Sequence, residues 1–284
     1  MIDLFAGIGG FHLAFHELGG ECVFASEWDA AARKTYEHNF AQISPGLFES
    51  ENFAGDITQV DKASIPDFDI LTGGFPCQPF SQAGRKEGFH DTRGTLFFDI
   101  AEILRIKQPE AFFLENVRHL HNHDEGKTYE TIRRVLTEDL GYSLQEFIVK
   151  ASDHGLPQNR PRLFMIGFRN SKLSISRPSP RPLEFTMSDV MGGSVPKDIG
   201  FTLRVGGKGS GISDRRNWDS YLVNGSVERL TVEQGRRMQG FPDWYEFPVS
   251  KSQAMKQLGN SVAVWAIRDY AAEIIKTLEA AGRE

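Results

Sequence analysis

Cysteine is almost absent from this chain: Cys22 and Cys77 are the only two in 284 residues. Two thiols far apart, in different expected elements, make neither a disulfide framework nor a zinc site. They suit a reducing compartment, so the expectation is a cytoplasmic protein that needs no metal. Long apolar runs are missing too: none approaches the roughly 20 residues that cross a bilayer, and no signal-peptide pattern opens the chain. A chain of this length buries about 75% of its unfolded surface, enough for one large domain, or a large and a small one, without staples. Net positive charge is also lacking, at −6. The distribution is uneven, however. Lys150 to Arg237 holds 15 Lys/Arg against 8 Asp/Glu, a net of +7, and the remainder carries −13. A basic segment on an acidic body is either a polyanion-binding face or chance clustering on a solvated surface.

The order of apolar segments is that of an α/β protein. A strand from Ile2 to Phe5 turns through AGIGG into an apolar helix from about Phe11 to Leu18. A strand from Glu21 to Ala25 and a helix from Ala30 to Asn39 follow, which is the βαβ grammar of a parallel sheet. The pattern recurs with strands Asp69–Thr72 and Ala111–Leu114 and helices Thr95–Ile106 and Lys127–Leu140. In the first of these helices Leu96, Ile100, Ile103 and Leu104 share one apolar face. Strands near Ser143–Val149 and Leu163–Gly167 complete the sheet. From about Arg177 the chain turns rich in Gly, Pro, Ser and Arg, with RPSPRP and GGKGSG. That shift marks a boundary. Beyond it lies either a disordered insert or a small irregular lobe built on Phe201, Leu203, Trp218, Tyr221 and Leu222. Helical texture returns from Val264 to Leu278, to pack back on the first part.

The glycine turn lacks GxGxxG spacing, so alone it indicates tight packing as readily as a ligand. Its companions add weight. Glu27 stands about 20 residues beyond it, where a carboxylate would accept ribose hydroxyls. Trp28 offers a stacking face, and Asp56, in GDI, an acceptor for an adenine amino group. Each also has an ordinary reading as a helix cap or surface residue. Cys77 sits in GGFPCQPFS, just past the strand-like run Phe68–Gly74, at the sheet edge where open α/β folds bind ligands. Pro76 and Pro79 stiffen that turn. A rigidly held, partly open thiol suits a nucleophile, although a buried structural cysteine is the alternative. Glu115, in ENV, follows an apolar strand to the same rim and suits a proton donor, or equally a cap or ion pair. Arg160 and Arg162, in QNRPR, share a face in an extended segment and would meet one substrate group, unless they form surface salt bridges.

DLFAGIGG, SEWD, GDI, GGFPCQPFS, ENV, QNRPR, RLTVEQGRRMQGFP and QLGNSV, in this order, closely resemble the DNA cytosine-5 methyltransferases of bacterial and phage restriction-modification systems. The resemblance covers nearly the whole chain. It implies a Rossmann-like domain that binds S-adenosylmethionine (S-adenosylhomocysteine after transfer), with a mixed, mostly parallel sheet, formed by residues 1–176 and 252–284. A small target-recognition domain with a hinge would occupy 177–251. It further implies catalytic roles for Cys77, Glu115, Arg160 and Arg162. Cofactor contacts would come from Phe5, Gly7, Ile8, Gly10, Glu27, Trp28, Asp56, Ile57, Gly74, Pro76, Leu96, Asn260 and Ser261. Contacts to duplex DNA would come from Ser81, Arg85, Lys86, Arg93, Thr202, Arg204, Lys208, Arg215 and Arg216. The base would be flipped out, and the glycine-bearing loop Gln82–Gly94 would be mobile without DNA. A monomer, acting in the cytoplasm and nucleoid beside a separately encoded restriction endonuclease, completes the expectation. Three rivals stand against it. A tRNA methyltransferase would carry a Cys-Phe-Thr triplet, absent here; a silent DNA-binding paralogue would have lost Cys77 or Glu115; a dehydrogenase would have regular glycine spacing.

Overall fold

The alternation of strand and helix read from the sequence resolves in a computed structural model, which describes residues 1–50, 52–76, 96–205, 211–214 and 216–282. Strand β1 (Ile2–Leu4) leads to α1 (Gly10–His16), then β2 (Phe24–Ser26), α2 (Ala30–Phe40), α3 (Pro45–Glu49), β3 (Phe53–Ala54) and β4 (Ile70–Gly74). Next come α4 (Leu96–Lys107), β5 (Ala111–Val117), α5 (Lys127–Arg134), β6 (Gln145–Lys150) and β7 (Pro161–Phe168). Then follow α6 (Met187–Met191), the hairpin β8 (Ser220–Val223) and β9 (Ser226–Arg229), α7 (Val232–Gln239), α8 (Lys251–Asn260) and α9 (Val264–Ala281).

The first seven strands form one sheet in the order β3-β2-β1-β4-β5-β7-β6. β1 to β5 run parallel, and β7 pairs antiparallel with both β5 and β6. The expected mixed, mostly parallel sheet is what forms. Along β5 the side chains alternate between faces, as a strand's period of two requires. Phe112 and Leu114 enter the core under α4 and α5, while Phe113 enters the core under α1 and α9. Phe113 meets Phe11 edge-on at 5.1 Å and Phe164 at 5.0 Å. Helix α9 packs against α1, so the end of the described chain closes the sheet's first face.

Several element ends differ from the sequence reading, as at β2, which starts at Phe24 rather than Glu21, and two of the differences have a structural cause. β5 runs on through Glu115 and Asn116 because β7 continues the ladder past the apolar run, pairing Glu115 with Phe164 and Asn116 with Leu163. The helix expected to reach Leu140 changes at Val135–Asp139 to a wider turn, closed by Leu140 N–H to Val135 O at 3.0 Å. The described residues of 177–251 are irregular but well packed. Leu203, Trp218, Tyr221 and Met238 are buried in the same core as Leu258 and Val264, whereas Leu222 stays exposed. Cys77 and the loop Gln82–Gly94 lie outside the described residues.

Under the glycine turn lies a buried polar cluster. His12 Nδ1 bonds the Tyr36 hydroxyl at 2.7 Å, and Nε2 bonds Ser44 Oγ at 2.9 Å. Burial depresses its pKa from 6.5 to about 3. In the unfolded chain the imidazole protonates near 6.5, so between that pH and about 3 the unfolded state binds more protons. Stability from this group is therefore complete above 6.5 and is lost as pH falls toward 3. His12→Gln should flatten the fall in unfolding free energy between about pH 6.5 and 5 by up to about 1.4 kcal/mol per pH unit, measured by urea titration at each pH. An unchanged slope would show that His12 titrates normally in the fold.

Candidate active site at the carboxyl edge of the sheet

Strand order reverses direction between β1 and β4, and it is at such a switch point that open α/β sheets form a crevice. The chain leaving β1 is held in left-handed backbone at Phe5 (φ 54°), Gly7 (φ 56°) and Gly9 (φ 78°). At Gly9 no other residue fits: a β-carbon there would lie 2.2 Å from the Phe40 ring. Phe5, a non-glycine held at positive φ, is local strain of the kind that concentrates at ligand sites. The turn delivers the Gly7 N–H to Glu27 Oε2 at 2.8 Å, and the Asp29 N–H reaches Oε1 at 2.8 Å. Burial raises the Glu27 pKa, and these two amides act against it. Glu27 is thus fixed by one donor per oxygen, with lone pairs left on each for a diol.

Around Glu27 opens a cavity of about 860 Å³, within the range usual for small-molecule sites. Phe5, Gly7, Ile8, Glu27, Trp28, Asp56 and Ile57 line one part of it. Gly74, Pro76 and Leu96 line another, and Asn260 and Ser261, at the end of α8, close it from the far end of the chain. Twelve of the thirteen expected cofactor residues therefore meet at one cavity. The exception is Gly10, which opens α1 and allows close packing: a β-carbon would come within 2.5 Å of Val262. The Trp28 side chain stands 81% exposed at the mouth, an apolar ring with no core to join. Asp56 does cap a turn, accepting the Thr58 N–H at 3.0 Å through Oδ1. Both of its foreseen roles can coexist.

Deeper in, Glu115 and Arg162 form an ion pair, Oε1 to Nε 2.7 Å, with side chains only 11% and 17% exposed. Ladder register puts Glu115 opposite Gly74, three residues before Cys77. Gly74 has no side chain to cover Glu115 Oε2, and among the described residues that oxygen accepts no hydrogen bond. The neighbouring Asn116 donates from Nδ2 to Phe75 O at 2.9 Å and so ties down the segment that runs into Cys77. Nothing in the ENV motif itself marks Asn116 for this role.

Arg160 behaves differently from the expectation that both arginines would meet one substrate group. Both line the cavity. Yet the Arg160 guanidinium donates to the carbonyls of Leu203 and Gly259 at 3.0 Å each, and to Ser261 O. Arg160 precedes the main run of β7 and is turned inward, where three carbonyls from two segments, Leu203 and the end of α8, need donors. Gln158 and Gln239 complete this junction: Gln158 accepts the Leu203 N–H at 3.1 Å, and Gln239 donates to Leu258 O at 2.6 Å. Neither glutamine stands out in the sequence, because apart from the 3.2 Å bond from Gln158 to Gln239 their partners are backbone groups.

Of the expected DNA contacts, Thr202 is half-buried and its hydroxyl donates to Asn159 O. Arg204 is exposed and makes no ion pair among the described residues. Arg216 is exposed but paired with Asp214 at 2.8 Å, which holds the Asp214 carboxyl down at about 2. Ser81, Arg85, Lys86, Arg93, Lys208 and Arg215 lie outside the described residues. The basic segment is less basic in space than in sequence. Arg181 pairs with Glu184 and Asp269, and Arg236 with Glu233 and Asp243.

An open α/β sheet with a small-molecule cavity at its switch point, lined by a buried Glu–Arg pair, is the frame of a ligand-binding α/β enzyme. The sequence profile of the C-5 cytosine-specific DNA methylases matches residues 1–198 and 202–276, and the chain belongs to that family: it is a DNA (cytosine-5)-methyltransferase. It is 44% identical to the Type II methyltransferase M.HpaII of Haemophilus parainfluenzae, over 98% of this chain and 89% of that one. It is 38% identical to M.HhaI of Haemophilus parahaemolyticus, over 93% and 90%. In fold it is similar to the DNMT2 of Spodoptera frugiperda, with a TM-score of 0.72 at 21% identity, over 96% of this chain and 99% of that one. Among the described residues no helix is long and apolar enough to cross a membrane.

Proposed function

We propose that the chain transfers a methyl group from S-adenosylmethionine to carbon 5 of a cytosine flipped out of duplex DNA, through a transient bond between Cys77 Sγ and carbon 6. The observation that carries this reading is the Glu115–Arg162 pair, which lines the same cavity as Glu27 and Trp28 and stands in register with the strand that leads to Cys77. The donor fits the residues present. Glu27 has lone pairs for the ribose hydroxyls, Trp28 a free face for adenine, and Asp56 a second carboxylate oxygen for its amino group. When bound, the cofactor supplies an electrophilic methyl sulfonium.

Carbon 5 of cytosine is a poor nucleophile, and the chain's residues change that. The Cys77 thiolate adds to carbon 6, and the displaced π electrons move toward N3 and the ring carbonyl. Glu115 bonds N3, and Arg162, held by Glu115, binds the carbonyl oxygen and offsets the developing charge. Carbon 5 becomes enamine-like. Once it carries the methyl group it gives its proton to a solvent water, the C–H pair re-forms the carbon 5–carbon 6 double bond, and the carbon–sulfur bonding pair returns to sulfur as the thiolate. Arg160 works through the backbone as a positioning residue and does not touch the base.

Extruding the base costs a few kcal/mol, which contacts to DNA must offset. Residues 177–251 form the target-recognition region in this reading, with Thr202 and Arg204 facing the duplex, and residues 1–176 and 252–284 form the catalytic domain. The enzyme is the modification partner of a separately encoded endonuclease and acts as a monomer. Tritium from methyl-labelled cofactor should appear in duplex DNA; label in tRNA alone, or in neither, overturns the proposal. Trp28→Ala should weaken S-adenosylhomocysteine binding about tenfold, the loss of one stacking contact. It should leave the melting temperature nearly unchanged, since the ring is exposed. Calorimetric titration and a thermal melt together check this.

A further inference from the structure

Two cations approach the cofactor cavity from outside it, and neither lines it. Arg33, half-buried on the first turns of α2, donates from Nη1 to Glu27 O at 3.2 Å and to Ala54 O, and from Nη2 to Phe53 O at 3.0 Å. Its guanidinium lies 4.2 Å from the Phe53 ring centroid, and it pairs with no carboxylate among the described residues. Lys62 is buried, 6% exposed, and donates to Ile57 O and to Val60 O at 3.2 Å. It also pairs at 2.9 Å with Asp99 of α4. The two groups bracket residues 53–60. That span carries Gly55, Asp56 and Ile57, one wall of the cavity, and Arg33 also holds the carbonyl of Glu27 on the adjoining wall.

Other ties act on the segment too: Ala54 O also accepts the Glu27 N–H at 3.1 Å, Ile57 O accepts the Val60 N–H at 3.2 Å, and the Phe53 and Ile57 side chains are buried. β3 is only two residues long, and a three-residue 3₁₀ turn, Ile57–Gln59, follows it. Such short elements form few ladder bonds, so their carbonyls need other donors or stay solvated and mobile. An arginine that spends its fork on three carbonyls, rather than on a carboxylate, is suited to fix backbone geometry.

We infer that Arg33 and Lys62 are positioning residues which pre-set the wall carrying Asp56 and Ile57 before the cofactor arrives. The inference rests on the S-adenosylmethionine reading of the cavity, but the clamp itself can be tested without any ligand. Pre-ordering raises affinity because binding need not then immobilise the loop.

Arg33→Met and Lys62→Met should each weaken S-adenosylhomocysteine binding about tenfold by calorimetry, since ordering cost is restored to the binding step. Both should leave kcat at saturating cofactor and the KM for duplex DNA within about twofold, because neither residue reaches the base or the DNA. Arg33→Lys, which keeps one donor group, should recover part of the loss. Equal decline of kcat, both KM values and affinity would reveal a general structural role and overturn the inference. Should a variant not fold, hydrogen exchange on the cofactor-free wild type still decides. The amides of residues 57–60 should be slow before cofactor is added, and exchange there at random-coil rates would overturn the clamp. A wild type that shows this protection yet binds no S-adenosylhomocysteine would instead refute the cofactor reading.

Discussion

Serine in place of Cys77 is expected to lower methyl transfer by about three orders of magnitude or more, while cofactor affinity stays within about twofold. A thiol is a few per cent ionised near neutrality and intrinsically nucleophilic, whereas a serine hydroxyl has no comparable fraction of alkoxide. In the proposed reading cofactor binding draws on Glu27, Trp28 and the glycine turn, none of which depends on the sulfur. A second readout tests the bond directly. In a duplex containing 5-fluorocytosine, carbon 5 has no proton to lose, so the bond to Cys77 cannot be released after transfer. The wild type should form an adduct stable to denaturing gels, and Cys77→Ser none. Methylation by the variant at the parent rate would refute the covalent route.

Glu115→Gln is expected to reduce kcat by about 10²- to 10⁴-fold, the usual contribution of a positioned acid or base. The amide oxygen can still accept from Arg162 Nε, so the pair's geometry and the fold should survive. Only the negative charge, and the ability to carry a proton at N3, are lost. The reciprocal change is different in kind. Arg162→Met leaves a nine-tenths-buried carboxylate without its partner, which costs about 3–5 kcal/mol of stability. A thermal melt alongside single-turnover kinetics separates the two outcomes: Glu115→Gln should lose rate without stability, and Arg162→Met should lose both. Parent-like single-turnover rates for Glu115→Gln would remove Glu115 from the chemistry.

Most of the site was legible because its parts are local. Glu27-Trp28-Asp29 ends a strand and starts a helix, and a short polar cluster after an apolar run announces that in any context. Pro76-Cys77 follows a strand-like run in the same way. The glycine turn was legible as a turn, but which glycine serves what purpose was not: Gly7 presents its N–H to Glu27, Gly9 makes room for Phe40, and Gly10 makes room for Val262. These roles depend on residues that lie 20 to more than 200 positions away. The strand limit at Leu114 was too short because an apolar count cannot see that β7 extends the ladder to Val117.

By itself the sequence determined the α/β order, the family and the residue types that could do the chemistry, because periodicity, turn residues and short motifs are written within a few positions of one another. Tertiary structure alone decided which charges face the site and which are spent on the scaffold. Arg160 and Arg162, two apart on one segment, illustrate the reason. A charged side chain goes to whichever unsatisfied group is nearest in space, and for Arg160 those groups are carbonyls brought in by the segment around Leu203 and by α8. The same rule draws Arg33 and Lys62 to carbonyls behind the cavity wall, two of which also accept a backbone amide, where no pattern along the chain could have placed them.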